Sequence, residues 1–333
     1  MVTKIVNAAN PNAGNLNNPA DFFGVQDDIV IVQATGNPIV TLGGADFVEA
    51  SASTGFQYAY LGLGADEYRG GTTGTDHVHD GGGADIVNFS GGLDTIYVGA
   101  GNDIFRGGAG FDTVSFRYES NNSHEGTLVL SGGPGIVIDL AKTTPQAFGR
   151  FGRDTISGFE AVDGSGGSDK IYGTNAENSL YGWAGNDLLE GRGGRDTLAP
   201  GAGADIVIGG LGADTIFLDF ADNARDIVRY SSIQESGLIF GEHDYIWTFV
   251  RSAGAAGDRI DLSRIDANPF VSGNQTFAWR AMLPFRENVV GEVRFIDVGT
   301  DLIVQVDTDR DNGAEMTIRM QGEQRMAAFD FIF

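Results

Sequence analysis

Aspartates fall at every ninth position in two stretches of this chain, and carboxylates in such a series are what a hard cation takes. The first series is Asp76, Asp85, Asp94, Asp103 and Asp112, with Asp66 as an irregular forerunner. The second is Asp169, Asp187, Asp196, Asp205 and Asp214, with Asn178 in the remaining place. A glycine stands two residues ahead: Gly83, Gly92, Gly101 and Gly110 in the first series, Gly167, Gly185, Gly194, Gly203 and Gly212 in the second. Carboxylates joined by the carbonyls of glycine turns make an oxygen-only ligand set, which favours calcium over softer metals. These residues are the candidate ligands for several Ca2+ ions.

Such sites need an element that repeats with them. Two residues after each aspartate comes an apolar side chain: Val78, Val87, Ile96, Phe105 and Val114, then Ile171, Leu180, Leu189, Leu198, Val207 and Ile216. The six residues ending in aspartate read as a turn, because glycine admits positive φ, and the next three read as a short strand with its middle residue inward. Two units make a coil of eighteen residues, which predicts parallel strands in two facing sheets around a narrow apolar core. Each turn then lies over the turn eighteen residues away. The expected carboxylate pairs are Asp66 with Asp85, Asp76 with Asp94, Asp85 with Asp103, and Asp94 with Asp112. In the second block they are Asp169 with Asp187, Asp187 with Asp205, and Asp196 with Asp214. Asn178 lacks a charge, so the site it shares with Asp196 is expected to be weaker.

The bulk numbers agree with cation binding. Of 333 residues 51 are glycine, roughly twice the usual share. The balance of 21 basic against 45 acidic side chains leaves a net charge of −24, which repels nucleic acid and anionic membranes and strains a compact state unless cations neutralise it. A hydrophobic content of 41% is enough for a core. There is no cysteine, which excludes disulfides and thiolate sites. No apolar run reaches the roughly 18 residues a membrane span requires, and MVTKIVNAANPNAGNL has no apolar stretch of the kind an ordinary secretion signal carries.

Along the chain, residues 1–40 read as an N-terminal cap with one strand candidate, Asp28 to Gln33. Residues 41–116 form a first β-roll, 117–163 a β linker in which Thr127 to Leu130 and Ile136 to Leu140 are strand-like, and 164–225 a second β-roll. Residues 226–333 change to ordinary alternating strands around Val293, Asp301 and Met316, and Ala327 and Ala328 allow a turn. The expected fold is all-β: a parallel β-roll in two blocks capped by a C-terminal antiparallel region.

The nonapeptide G-G-x-G-x-D-x-U-x, in so many in-phase copies, resembles the repeats-in-toxin (RTX, haemolysin-type calcium-binding) superfamily, over roughly Thr41 to Phe116 and Gly164 to Phe217. The segments DIVRYSSIQESG from Asp226 and DRIDLSRIDANPF from Asp258, followed by strands to the terminal DFIF, resemble the C-terminal domain of serralysin-type metalloproteases. That resemblance implies a cap on the β-roll and an uncleaved type I secretion signal at Asp330 to Phe333; the alternative for those residues is a hydrophobic edge strand. The linker's DTVSF, VIDLA, DTISGFEAV and DKIYG resemble the joints between successive RTX blocks.

Catalytic motifs are missing. The His124-Glu125 pair has no second histidine to complete a zinc helix, and Asp163-Gly-Ser165-Gly-Gly lacks the first glycine of a lipase elbow. Three smaller signals remain. His77 and His79 flank Val78 on an outward strand face and suit a transition metal, or simply form an exposed polar strand. Trp183 replaces a turn glycine and could stack on a sugar or pack on the linker. The run Asp307, Asp309, Asp311 has the alternating acids of a calcium loop but lacks its glycine and glutamate, having Asn312 and Ile318 there, so a solvated hairpin turn competes.

The chain therefore reads as a secreted, calcium-dependent β-roll protein without a catalytic domain. Its expected role is structural or adhesive, binding extracellular or cell-surface polysaccharide or assembling with itself. A polysaccharide lyase or epimerase, or a host-interaction factor, is the alternative.

Overall fold

The computed structural model describes residues 2–6, 26–32, 39–117, 134–218, 224–239, 241–251, 257–322 and 325–333. Thr127 to Leu130 and the His124-Glu125 pair lie outside them. Every regular element described is a strand or a single 3-10 turn, so the protein is all-β. It divides into two compact units, Met1–Gly166 and Gly167–Phe333. Each is built on a parallel β-roll.

In the first unit one sheet runs Val2–Val6, Asp28–Val32, Phe47–Glu49, Glu67–Arg69, Ile86–Asn88, Ile104–Arg106, Arg153–Ser157, with Gln146–Ala147 added antiparallel at its end. The other runs Ile39–Val40, Gln57–Tyr60, Asp76–His79, Thr95–Tyr97, Thr113–Ser115, Ala161–Asp163, all parallel. Three-residue strands leave one inward side chain each. In register, these inward residues form two columns, Val30, Val48, Tyr68, Val87, Phe105 and Ile156, and Ala59, Val78, Ile96, Val114 and Val162, all shut off from solvent. The columns make a thin core, to which some turns add a buried side chain such as Leu61, Phe89 or Val98.

The chain leaves this roll after Phe116 and comes back into it at Arg153. Phe116 is capped there by Phe148 and Phe151, with ring centroids 4.9 and 5.2 Å away. The returning strands then stack on Ile104–Arg106 and Thr113–Ser115, so the coil resumes within the stretch read from sequence as linker.

The second unit repeats the plan. Its columns are Ile171, Leu189, Val207, Val228, Ile260 and Phe331 in one sheet, and Leu180, Leu198, Ile216, Ile246 and Met320 in the other. Past Asp226 the sequence suggests ordinary alternation, yet three further parallel strands follow: Ile227–Arg229, Asp244–Trp247 and Arg259–Asp261. They keep the aspartate-x-apolar core of the repeat (Asp226 with Val228, Asp244 with Ile246, Asp258 with Ile260) while the glycine turns are replaced by longer loops. Only then do Glu292–Asp297, Asp301–Asp307 and Met316–Gln321 form an antiparallel meander, whose last strand pairs parallel with Asp244–Trp247. The 3-10 turn Ala328–Asp330 leads into Phe331–Ile332, an edge strand laid parallel on Ile260 and Asp261.

Candidate calcium centres

The repeat aspartates stack as the spacing requires. Each donates its backbone N–H to a carboxylate oxygen, Oδ1, of the aspartate one coil on: Asp66 to Asp85 at 2.7 Å, Asp76 to Asp94 at 2.7 Å, Asp85 to Asp103 at 2.8 Å, Asp94 to Asp112 at 2.8 Å. In the second unit the same bond joins Asp169 to Asp187 at 2.7 Å, Asp187 to Asp205 at 2.6 Å and Asp196 to Asp214 at 2.9 Å. Asn178 donates to Asp196 at 2.8 Å, while its own side-chain oxygen accepts from the Thr174 backbone at 2.7 Å.

The ladder is longer than the strict repeat. It begins with Asp28 bonded to Asp46 and Asp46 to Asp66, both at 2.7 Å. It passes from Asp103 to Asp154, and from Asp112 to Glu160, each at 2.9 Å, across about fifty residues of intervening chain. In the second unit it runs from Asp205 to Asp226 and on to Asp258, and from Asp214 to Asp244. Apart from Asp28 with Asp46, sequence periodicity misses these because their offsets are no longer eighteen. The surviving signal is local: Gly152-x-Asp154-x-Ile156 and Asp226-x-Val228 repeat the end of the motif out of phase.

The glycines explain themselves by close approach. At Gly83 and Gly110, with φ of +154° and +142°, an added Cβ would run into the carbonyl oxygen of Gly64 or Gly92 in the coil before. The same holds for Gly203 over Gly185 and Gly212 over Gly194. Glycine therefore lets successive turns stack with their carbonyls beside the carboxylates.

One oxygen of each accepting carboxylate is thus satisfied. Oδ2 of Asp66, Asp85, Asp94, Asp103, Asp112, Asp187, Asp196 and Asp214 is buried with no hydrogen-bond partner. Burial raises these acids out of the ordinary carboxylate range, to about 7 for Asp66, Asp85, Asp187 and Asp196 and about 6 for Asp76, Asp94, Asp112 and Asp214. Elsewhere in the second unit buried acids are paired with arginine: Asp261 with Arg229 at 2.8 Å, Asp330 with Arg251 at 2.8 Å, Glu292 with Arg286 at 2.5 Å. Orphaned buried oxygens stacked beside backbone carbonyls fit a calcium ion and would hold it without another charged group.

The smaller signals fall differently. Val78 is buried and His77 and His79 stand half-buried on the outward face, but inside a ladder of rings. His79 lies between Tyr60 and Tyr97, nearly parallel to both at 4.5 and 4.2 Å, and desolvation with the neighbouring His77 lowers its pKa to about 4. The described carboxylate and imidazole clusters able to hold a metal, Asp80 with Asp85 and Asp103, and Asp307 with Asp309 and Glu315, contain no histidine. In the second cluster Glu315 supplies the glutamate from a position the loop pattern does not anticipate, and Asp307 Oδ2 is buried without a partner. Trp183 is exposed at a φ of +74°, the backbone geometry of the glycine it replaces.

Comparison with known proteins identifies the repeats. Four copies of the RTX calcium-binding nonapeptide repeat match, at residues 60–96, 90–114, 163–198 and 201–223. The chain is an RTX-repeat protein. These RTX repeats bind Ca2+, in agreement with the stacked aspartates. No curated protein sequence matches the chain significantly. Among solved structures, it is similar to the AlgE6R3 and AlgE6R2 subunits of the Azotobacter vinelandii mannuronan C5-epimerase. Both are 22% identical; the matches cover 50% and 49% of this chain and 78% and 92% of those, with TM-scores of 0.19 and 0.25. It is also similar to the extracellular lipase LipA from Serratia marcescens, 13% identical over 92% of this chain and 45% of the lipase, with a TM-score of 0.22. No described helix of this RTX protein is long and apolar enough to cross a membrane.

Proposed function

We propose that this RTX protein is secreted, folds on calcium outside the cell, and acts there as a structural or adhesive module that binds a surface or a polysaccharide. The observation that carries the reading is the double ladder of buried carboxylates with orphaned oxygens in each unit. Without a counter-charge these aspartates must either hold protons or leave the interior. With a chain charge of −24 and a thin core, low calcium favours the open chain. Bound calcium supplies the counter-charge, and its binding free energy becomes folding free energy. Millimolar calcium outside cells suits sites with dissociation constants of about 10⁻⁴ to 10⁻³ M.

In the folded protein the aspartate Oδ2 atoms and glycine-turn carbonyls hold the ions, and the Oδ1 atoms lock each coil to the one before. The outward face of Gln57–Tyr60, Asp76–His79 and Thr95–Tyr97 presents the edges of stacked tyrosine and histidine rings, uncharged groups able to hydrogen-bond sugar hydroxyls. The resemblance of the C-terminal residues to a type I export signal supports release from the cell.

The test is far-UV circular dichroism during calcium titration, followed by retention of the loaded protein on bacterial polysaccharides and whole cells, in calcium and in chelator. Calcium-dependent folding and retention with intact polymer is the expected result. Cleavage of the polymer would instead make it an enzyme, and a fully folded calcium-free chain would remove the mechanism.

A further inference from the structure

One buried carboxylate has no place in the nonapeptide. Five residues before the repeat aspartate the turns carry glycine (Gly107, Gly182, Gly191, Gly209) or an uncharged side chain (Leu61, Phe89, Val98, Pro200), but the turn leading to Asp85 carries Asp80. At Gly107 an added Cβ would lie 2.8 Å from Oδ2 of Asp112, so a side chain at this position starts beside the repeat carboxylate. Asp80 is accommodated by reaching the next coil, where its Oδ1 accepts the backbone N–H of Gly99 at 2.6 Å. The residue is 0% exposed, and its Oδ2 has no partner.

That oxygen is not alone. Asp80, Asp85 and Asp103 each offer a carboxylate oxygen, and the three lie within 4.8 Å of one another. Oδ2 of Asp85 and of Asp103 is likewise buried and without a partner. The charged groups acting on Asp80 are Asp103, Asp85 and Asp154, all acids. A repeat pair such as Asp76 and Asp94 brings two carboxylates to a turn; here a third, fully buried one is aimed at the same place.

We propose that Asp80 is an additional calcium ligand, and that the site it forms with Asp85 and Asp103 is the tightest of the repeat turns, the first of them to fill as calcium rises. Calcium affinity in oxygen sites is tuned by the number of charged ligands, so a third carboxylate raises it above the two-carboxylate turns. The proposal rests on the reading that calcium fills the repeat turns.

Isothermal titration of the full chain with calcium, with ion counts by native mass spectrometry, tests it. Asp80→Asn keeps the side-chain oxygen that accepts from Gly99, and Asp80→Gly restores the repeat glycine. Both are expected to weaken the first binding step about tenfold or more while leaving the later steps in place. Asp94→Asn, in a two-carboxylate turn, is expected to leave the first step unchanged. If the first step is the same in both Asp80 variants, or every step weakens alike, Asp80 is not a ligand. A wild-type chain that takes up no calcium would defeat the underlying reading instead.

Discussion

The backbone N–H of Asp85 donates to Oδ1 of Asp103 at 2.8 Å, and Oδ2 of Asp103 is buried with no partner. One carboxylate therefore has two jobs. Its first oxygen fixes the register of adjacent coils, and its second waits for a cation. The same division recurs along the ladders of each unit, and under the proposed function it makes folding and calcium binding one event in these repeats.

The calcium-free chain should gain structure as pH falls. Burial raises Asp66, Asp85, Asp187 and Asp196 to about 7 and Asp154 to about 8, against about 4 for an unfolded carboxylate. The folded state thus binds more protons than the unfolded one between about pH 4 and 8, and its stability declines as pH rises through that window. In saturating calcium the trend reverses, because protons compete for the ligands. Ellipticity against pH, in chelator and in calcium, checks both signs; parallel curves would contradict the account.

Asn178→Asp should strengthen calcium binding by roughly tenfold at the turn it shares with Asp196, since it restores a charged ligand where the ladder has an amide. In chelator, where the chain is open, the same change should bring no gain in structure. Calorimetry in both conditions reads the two effects, and a variant identical to the parent would mean this turn holds no ion.

Gly203→Ala should destabilise the second unit by about 2 kcal/mol or more even in calcium. The residue sits at φ +143°, and the carbonyl oxygen of Gly185 fills the space a methyl would need. Denaturant unfolding in millimolar calcium measures it. An unchanged midpoint would show that the coils are not packed this closely.

Arg251→Ala should cost about 3 kcal/mol, because it leaves Asp330 buried without its cation, 2.8 Å from the guanidinium. Adding Asp330→Asn should recover part of the loss. This pair lies outside the repeats, so the penalty should be independent of calcium concentration, which thermal melts at two calcium levels would establish.

Most of the calcium machinery is legible in the sequence because period, ligand and core position are locked together. A strand of three residues has one inward place, so Val87 and Leu189 are core wherever Asp85 and Asp187 end a turn. The eighteen-residue offset follows, and with it every aspartate pair expected from spacing except Asp66 with Asp85, which is nineteen apart.

What tertiary structure alone decided is where the period is broken. Asp154 joins Asp103 across 51 residues, and Asp258 joins Asp226 across 32, because hydrogen bonding between coils depends on proximity and not on loop length. Composition marks Asp80 as one acid among 45, but only packing seals it from solvent beside Asp85 and Asp103. His77 and His79 could be placed on a face from alternation, whereas their enclosure between tyrosine rings required the neighbouring strands. A repeat writes its local geometry into its own spacing; the contacts made after a long excursion of the chain exist only once the coils have stacked.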